Sequence, residues 1–235
     1  MIMRTSQRWP IGTTGALWLA FLLIIGHYVA MFGVGGVLTI VLGIHDRREI
    51  WQAPPAAFII NLGVGLFEIG VVLRLGMCRY ARLSFREAGW SGLALRDFAY
   101  GVLGFALFAL VVTCVFAAES GFKDAVAYLA ETIAHYTPQQ RMLFALMGLI
   151  AAIPEETIFR GVVQPTLQKK VGRWPGILLT AAIFAVYHVH FQFALPRIIS
   201  HTCWGLILGL LRERTGTLWA PAIAHALAWI ILGAI

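Results

Sequence analysis

The sequence predicts an all-α fold, a polytopic bundle of transmembrane helices, and three observations lead to that fold class. Hydrophobic residues fill 60% of the 235 positions and charged residues only 12%, and the mean hydropathy is +0.81. This composition lies outside the range of soluble globular domains. The apolar residues occur in runs of about twenty or more, long enough to cross a bilayer core of roughly 30 Å as a helix. Short charged clusters separate the runs, so we predict a single membrane domain over residues 1–235.

Seven apolar runs are the predicted spans, within a range of six to eight. The first run is long and has Gly33, Gly35 and Gly36 close together, so it is expected to tilt, kink or break. Its start also fits a secretory signal peptide, because Arg4 and Arg8 precede it. The apolar stretch continues well past the usual length of roughly 7–15 residues, without a convincing cleavage site, so we expect an uncleaved helix. The runs lie at about 14–44, 55–75, 98–118, 141–165, 174–193, 196–211 and 217–235.

One intervening segment is predicted to lie along the membrane surface. Residues 119–140 are too polar to span, yet Val126, Leu129 and Ile133 recur at helical spacing. A helix with one apolar face and one polar face lies in the interface plane of a bilayer. We therefore predict an amphipathic helix at the outer surface.

Basic residues are distributed unequally between the two sides of the predicted bundle. The N-terminus and the second, fourth and sixth loops hold 13 of the 18 Lys and Arg residues, with Arg160 counted in the fourth loop. Short loops rich in Lys and Arg remain cytoplasmic. We therefore expect an integral protein of the cell (inner) membrane with a cytoplasmic N-terminus. The pI of about 9.8 then reflects attraction to anionic headgroups of the lipid bilayer, and no nucleic-acid partner is expected.

Ionisable side chains inside the spans carry the functional argument, because each is costly unless it is paired or faces a wet cavity. Asn61 and Glu68 lie on one face of the second span, where a hydrogen bond between helices would explain them. His201, one turn from Arg197, is interpreted as structural. The ionisable candidates are Glu68, Glu155, Glu156, His188, His190, His201 and His225.

The stretch AIPEETIFRG, residues 152–161, places two adjacent carboxylates and an arginine in a predicted span. On a helix Glu156 and Arg160 are four residues apart, so they share a face and can pair, whereas Glu155 is rotated by about 100°. Pro154 cannot donate its backbone hydrogen bond and is expected to loosen the helix just before the glutamates. A widened helix beside a free carboxylate predicts a hydrated pocket. The alternative is that both glutamates pair with basic residues and hold helices together.

Two histidines in later spans each have an aromatic residue one turn away on the same face. Phe184 precedes His188, and Trp229 follows His225, whereas His190 points elsewhere. A single histidine in an apolar helix is more often a packed core residue. One glutamate and two histidines on three separate predicted spans are most simply explained by convergence in one cavity.

These segments, in this order, resemble the CAAX-processing and bacteriocin-processing (CPBP, or Abi) family of intramembrane endopeptidases, which includes the type II CAAX prenyl endopeptidases. The matching motifs are EExxxR, which begins at Glu155, then FxxxH, which ends at His188, and the final histidine, His225, in APAIAHALAW. The resemblance covers roughly residues 140–235, a motif-bearing catalytic core. Residues of about 1–120 are interpreted as a variable helical bundle.

The resemblance implies hydrolysis of a peptide bond inside the membrane. Glu155 would act as general base on a water, and His188 would help to hold and polarise that water. His225 would help to stabilise the oxyanion. In the family an Asn commonly follows the last histidine at a spacing of four, but here Trp229 occupies that position and its indole N–H is a donor that could serve. The supporting residues implied are Glu156, Arg160, Phe184 and Trp229.

No cofactor is expected, although a zinc site is the alternative. Glu155, His188 and His225 could supply the three protein ligands of a catalytic zinc ion. The sequence has no HExxH or comparable helix with paired ligands, which favours the metal-free mechanism.

Three functions follow from these observations, and the favoured one is an intramembrane endopeptidase that acts on a membrane-anchored or hydrophobic peptide or protein. The first alternative is a catalytically inactive relative that binds a peptide or confers immunity. The second is a proton-coupled transporter whose intramembrane Glu and His residues form a relay. Three intact motif positions argue against the inactive relative. The lack of an inverted repeat or of matched broken helices argues against the transporter.

Overall fold

The computed structural model describes residues 11–43, 54–135, 137–188 and 195–232, and within these ranges the chain forms helices and no strands. This confirms the predicted all-α bundle. The helices are α1 (Thr13–Leu42), α2 (Pro54–Phe67, continuing as a π-helix over Glu68–Tyr80), α3 (Phe85–Ala88), α4 (Leu95–Ser120), α5 (Phe122–His135), α6 (Pro138–Glu156, then a π-helix over Thr157–Val163 and an α-helix over Gln164–Val171), α7 (Arg173–Tyr187), α8 (Leu195–Thr215) and α9 (Trp219–Leu232).

Each of the seven predicted spans contains one of these helices, but not all of them have the length of a span. Within the described ranges, α1, α2, α4 and α6 are long and apolar enough to cross a membrane, whereas α7 and α9 are apolar but shorter. The fifth span was predicted to reach residue 193, whereas α7 ends at Tyr187. The four long apolar helices support an integral membrane protein, and the count of seven spans stays a prediction.

The outward faces of the bundle are apolar and the interior joins most of the helices. Val29, Ile40 and Leu66 are examples of large apolar side chains that are mostly exposed on α1 and α2, as expected of a surface that contacts lipid. The main buried cluster contains residues of α1, α2, α4, α6, α7, α8 and α9, including Phe159 and Phe184.

Two glycines allow helices to approach closely. A Cβ at Gly205 of α8 would lie 2.8 Å from the Cα atom of Ala181 on α7, so these two helices touch through their backbones. A Cβ at Gly161 of α6 would lie 2.9 Å from the carbonyl oxygen of Ala88. The π-helical part of α6 therefore lies directly against the end of α3, and α7 packs closely on α8.

The widened part of α6 lies after the two glutamates, and the prediction that it precedes them is wrong. The α-helical geometry continues through Pro154 to Glu156, and the π-helix occupies Thr157–Val163. At its start, Thr157 Oγ1 accepts a hydrogen bond of 2.8 Å from Trp90 Nε1. Side-chain hydrogen bonds of this kind commonly accompany a departure from the regular helix ladder, and π-turns are frequent at functional sites.

Arg160 does not lie in a loop, which corrects the charge count. It is fully buried within the π-helical part of α6. Removing it from the cytoplasmic side leaves 12 basic residues there against 5 on the other side. The asymmetry, and the orientation predicted from it, therefore remain.

The predicted surface helix is present as α5, Phe122–His135. Val126 is 45% exposed on it. The side chains of Leu129 and Ile133 lie outside the described part of the chain, so the apolar stripe that they were predicted to form remains a prediction.

Candidate active site

The structure brings Glu155, His188 and His225 together inside the bundle. Glu155 Oε2 lies 3.7 Å from His188 Nε2 and 3.9 Å from His225 Nε2. Glu155 and His225 are each only 3% exposed. The three side chains come from α6, from the end of α7 and from α9, so they occupy one site. Their chemical roles stay a prediction.

His188 is held by the residue four positions before it. Its Nδ1 lies 3.0 Å from the carbonyl oxygen of Phe184, and the two rings are 4.4 Å apart between centroids. A carbonyl only accepts, so Nδ1 carries a proton and donates it, and Nε2 faces Glu155. The FxxxH spacing therefore fixes both the tautomer and the ring position. His188 is the C-cap residue that directly follows α7, so it lies at the end of this helix and not within it.

His225 is oriented by Glu156. Its Nδ1 lies 2.9 Å from Glu156 Oε1, and the same oxygen accepts a hydrogen bond of 3.2 Å from Arg160 Nη1. An ionised carboxylate only accepts, so His225 Nδ1 is the donor and its Nε2 faces Glu155. The two adjacent glutamates thus have different surroundings: Glu156 orients a histidine and pairs with an arginine, and Glu155 faces the cavity.

Arg160 links the first two motifs. It is fully buried, its Nη2 donates to the carbonyl oxygen of Gly205 at 3.4 Å, and its guanidinium lies 4.1 Å from the centroid of the Phe184 ring. A cation over an aromatic face gains energy when both are shielded from water. The Phe of FxxxH therefore stabilises the Arg of EExxxR as well as His188.

The two oxygens of Glu155 have different neighbours. Oε1 accepts a hydrogen bond of 3.4 Å from the hydroxyl of Tyr187. Oε2 is buried and has no hydrogen-bond partner among the residues that the structure describes. It faces the Nε2 atoms of His188 and His225. A water molecule can supply the donor that a buried carboxylate oxygen of this kind needs.

The same three atoms are of the types that bind zinc, and their arrangement decides whether a metal fits. Catalytic zinc sites commonly use three protein ligands and one water. No group of three His, Cys, Asp or Glu side chains in the described ranges is arranged to hold a metal ion. The metal content of the protein decides whether zinc binds here, and the metal-free mechanism stays a prediction.

A small cavity adjoins Glu155 and contains more polar residues than the motifs supply. Trp229 of α9 lines it. Asn61 and Glu68 of α2 line it too, so the residues interpreted as an interhelical hydrogen bond lie at the site itself. The cavity is lined by His27, Asn61, Val64, Gly65, Glu68, Ala151, Glu155, Tyr187, His188 and Trp229.

His27 and Tyr187 were not selected from the sequence, although both lie in this cavity. Glu68 Oε1 is 2.9 Å from His27 Nδ1 and accepts a hydrogen bond of 3.1 Å from the Tyr187 hydroxyl. A signal for each was present, because His27 is an ionisable residue within the first span and Tyr187 directly precedes the motif residue His188.

His201, interpreted as structural, packs against a candidate catalytic residue. Its ring stacks on that of His188 with centroids 4.7 Å apart and planes inclined by 28°. Its Nδ1 lies 2.9 Å from the carbonyl oxygen of Arg197. His201 is therefore a support for the His188 ring. His190 lies outside the described residues.

Comparisons with known proteins agree with the motifs. Residues 137–231, which contain all three motifs, match the family model described as "Type II CAAX prenyl endopeptidase Rce1-like". The chain is also 38% identical over 79 residues to the "Uncharacterized protein YpbD" of Bacillus subtilis (strain 168). That match covers 34% of this chain and 38% of the relative, so the chain spans well under half of its length. No solved structure matches the chain.

Proposed function

Because residues 137–231 match the model of the Rce1-like family of type II CAAX prenyl endopeptidases, we propose that this chain is an active intramembrane endopeptidase of that family. The observation that carries the proposal is the buried Oε2 atom of Glu155, which faces the Nε2 atoms of His188 and His225. The proposed substrate is a membrane-anchored or hydrophobic peptide or protein. An apolar outer surface and an interior polar site suit a substrate that arrives within the lipid bilayer.

In the proposed reaction, Glu155 Oε2 takes a proton from a water while the water oxygen attacks the carbonyl carbon of the scissile bond. His188 accepts the second hydrogen bond of the water through Nε2 and so fixes its direction. When the tetrahedral intermediate collapses, the C–N bond breaks and Glu155 returns the proton to the leaving nitrogen. The products are a new carboxyl terminus and an amine, and no ion takes part.

His225 is proposed to stabilise the oxyanion of that intermediate. Its Nδ1 is engaged with Glu156, so it reaches the oxyanion through Nε2. Nε2 donates only when both ring nitrogens carry protons, and the Glu156 carboxylate is the counter-charge for that form. Donors aimed at a developing negative charge are among the strongest contributors to the acceleration of acyl transfer.

Peptide mass spectrometry of membranes with and without the intact protein tests the function and identifies the substrate. We expect a discrete uncleaved precursor to accumulate in membranes that lack the protein, and its mature product to be missing. Identical peptide profiles in the two membranes would contradict the proposal.

The proposed location is the cell (inner) membrane, with a cytoplasmic N-terminus and a cytoplasmic loop around residue 170. The excess of 12 basic residues over 5 supports this orientation. Reporter fusions measure it directly, and a fusion at Lys170 is expected to give a cytoplasmic signal. An external signal from that fusion would overturn the orientation.

Trp229→Phe is expected to lower turnover by about 10²–10³-fold, the effect of losing one oxyanion donor. Phenylalanine keeps the aromatic bulk in the cavity and deletes only the indole N–H. The measurement is the steady-state rate on the identified substrate, with Trp174→Phe, an exposed tryptophan of α7, as the matched control. An unchanged rate in Trp229→Phe would mean that the indole N–H is not an oxyanion donor and that His225 stabilises the oxyanion alone.

A further inference from the structure

A polar cluster next to Glu155 has no part in the proposed reaction. It consists of His27 on α1, Glu68 on α2 and Tyr187 at the end of α7. The Tyr187 hydroxyl lies 2.5 Å from His27 Nδ1 and 3.1 Å from Glu68 Oε1. Glu68 and Tyr187 are each 1% exposed. Polar groups buried at this depth are costly unless they are satisfied, so the cluster calls for an explanation.

The cluster contacts the oxygen of Glu155 that does not face the histidines. Tyr187 donates to Oε1 at 3.4 Å, whereas Oε2 faces the Nε2 atoms of His188 and His225. A carboxylate that is held on one oxygen cannot rotate freely about its last bond. Its other oxygen is then kept pointing at the water site.

The short contacts also indicate where the protons are. If His27 Nδ1 accepted the hydroxyl proton of Tyr187, two acceptors, Nδ1 and Glu68 Oε1, would face each other at 2.9 Å. If Nδ1 carries a proton instead, it donates to Glu68 and to the hydroxyl oxygen of Tyr187, and the Tyr187 proton is left for a carboxylate. In this second arrangement the Nδ1 proton is shared between Glu68 and the Tyr187 oxygen, and the Tyr187 hydroxyl proton is shared between Glu68 and Glu155.

We propose that Tyr187 is a positioning residue for Glu155 and that the pair His27–Glu68 holds its hydroxyl group. The inference rests on the proposed function, because positioning matters only if Glu155 is the base. The aromatic ring is fixed by its packing on Phe159, with centroids 5.6 Å apart. Two of the residues come from α1 and α2, outside residues 137–231, so the N-terminal helices contribute to the active centre and are more than a generic bundle.

Tyr187→Phe is expected to lower kcat by about 10–100-fold and to leave KM unchanged. A displacement of about 1 Å at a reacting group costs a factor of this size, and phenylalanine preserves the packing of the ring. The assay uses the full-length protein in proteoliposomes and an internally quenched farnesylated peptide with a CAAX terminus as the probe. Tyr80→Phe is the matched control, because Tyr80 is 83% exposed, and we expect wild-type kinetics from it.

The double variant tests whether Glu68 acts through Tyr187. Glu68→Gln alone is expected to lower kcat by a smaller factor than Tyr187→Phe, because it weakens the hold on the hydroxyl group without removing it. The double variant Tyr187→Phe with Glu68→Gln is then expected to be no slower than Tyr187→Phe alone, since groups that act in series are not additive. If the fold-loss in kcat of the double variant equals the product of the two single fold-losses, the proposed link between Glu68 and Tyr187 is overturned.

An infrared measurement separates the failure of this inference from a failure of the proposed function. The carboxyl bands of Glu155 are those that disappear in Glu155→Gln. We expect Tyr187→Phe to shift these bands and Tyr80→Phe to leave them in place, whether or not the probe is cleaved. If the bands shift but the probe is not cleaved, the proposed endopeptidase activity is rejected and the contact between Tyr187 and Glu155 is retained. Unshifted bands in Tyr187→Phe would overturn the positioning role.

Discussion

Glu155→Gln is expected to reduce hydrolysis by about 10⁴-fold, to background, with little loss of folded protein. The change removes the proposed general base, and a general base contributes up to about this factor, while the side chain keeps nearly the same shape. The amide also places a donor or a weak acceptor where Oε2 faced His188 and His225, so the water loses the atom that takes its proton. Turnover of the identified substrate and accumulation of its precursor in membranes are the measurements.

A carboxylate on the surface provides the control for this substitution. Glu131 is exposed on α5, far from the motifs in the sequence, and Glu131→Gln is expected to retain wild-type turnover. If Glu155→Gln kept wild-type turnover on the same substrate, the assignment of the base would be wrong.

Glu156→Gln is expected to lower the stability of the fold, and not only the rate of the reaction. Glu156 and Arg160 are both fully buried, and the carboxylate is the charged partner of the guanidinium and of His225. Breaking a buried pair by neutralising one member leaves an uncompensated charge, at a cost of about 3–5 kcal/mol in the free energy of unfolding. The melting temperature of the purified protein in detergent should fall clearly.

The ion pair between Arg173 and Glu213 is the matched comparison, with N and O atoms 3.0 Å apart but an Arg173 side chain that is 57% exposed. Exposed pairs contribute roughly 0–1 kcal/mol, so Glu213→Gln is expected to change the melting temperature little. Equal shifts for the two substitutions would contradict the view that burial makes the Glu156–Arg160 pair important.

The features that depend on local spacing could be predicted from the sequence. The i,i+4 relation between Glu156 and Arg160 predicted their ion pair, because neighbouring turns of one helix determine it. Apolar runs predicted the helices, because the bilayer fixes the length of a span. The meeting of Glu155, His188 and His225 was predicted from chemistry, since isolated ionisable groups in a membrane are costly.

The features that depend on contacts between residues far apart in the chain could not be predicted from the sequence. His27 and Glu68 are 41 residues apart, and Tyr187 lies a further 119 residues from Glu68, so no local pattern links them. The placement of Arg160 in a loop was wrong because a lone arginine avoids the membrane, whereas this one is compensated by Glu156 and by the ring of Phe184.

The measurement that tests the central claim most directly is the zinc content of an active preparation, determined together with its turnover before and after a chelator. If Glu155 activates the water without an ion, the protein contains well below one zinc per chain and turnover survives chelation. If Glu155, His188 and His225 instead hold zinc, metal is present at one per chain, the chelator removes it together with activity, and added zinc restores both. That second result would contradict the glutamate mechanism.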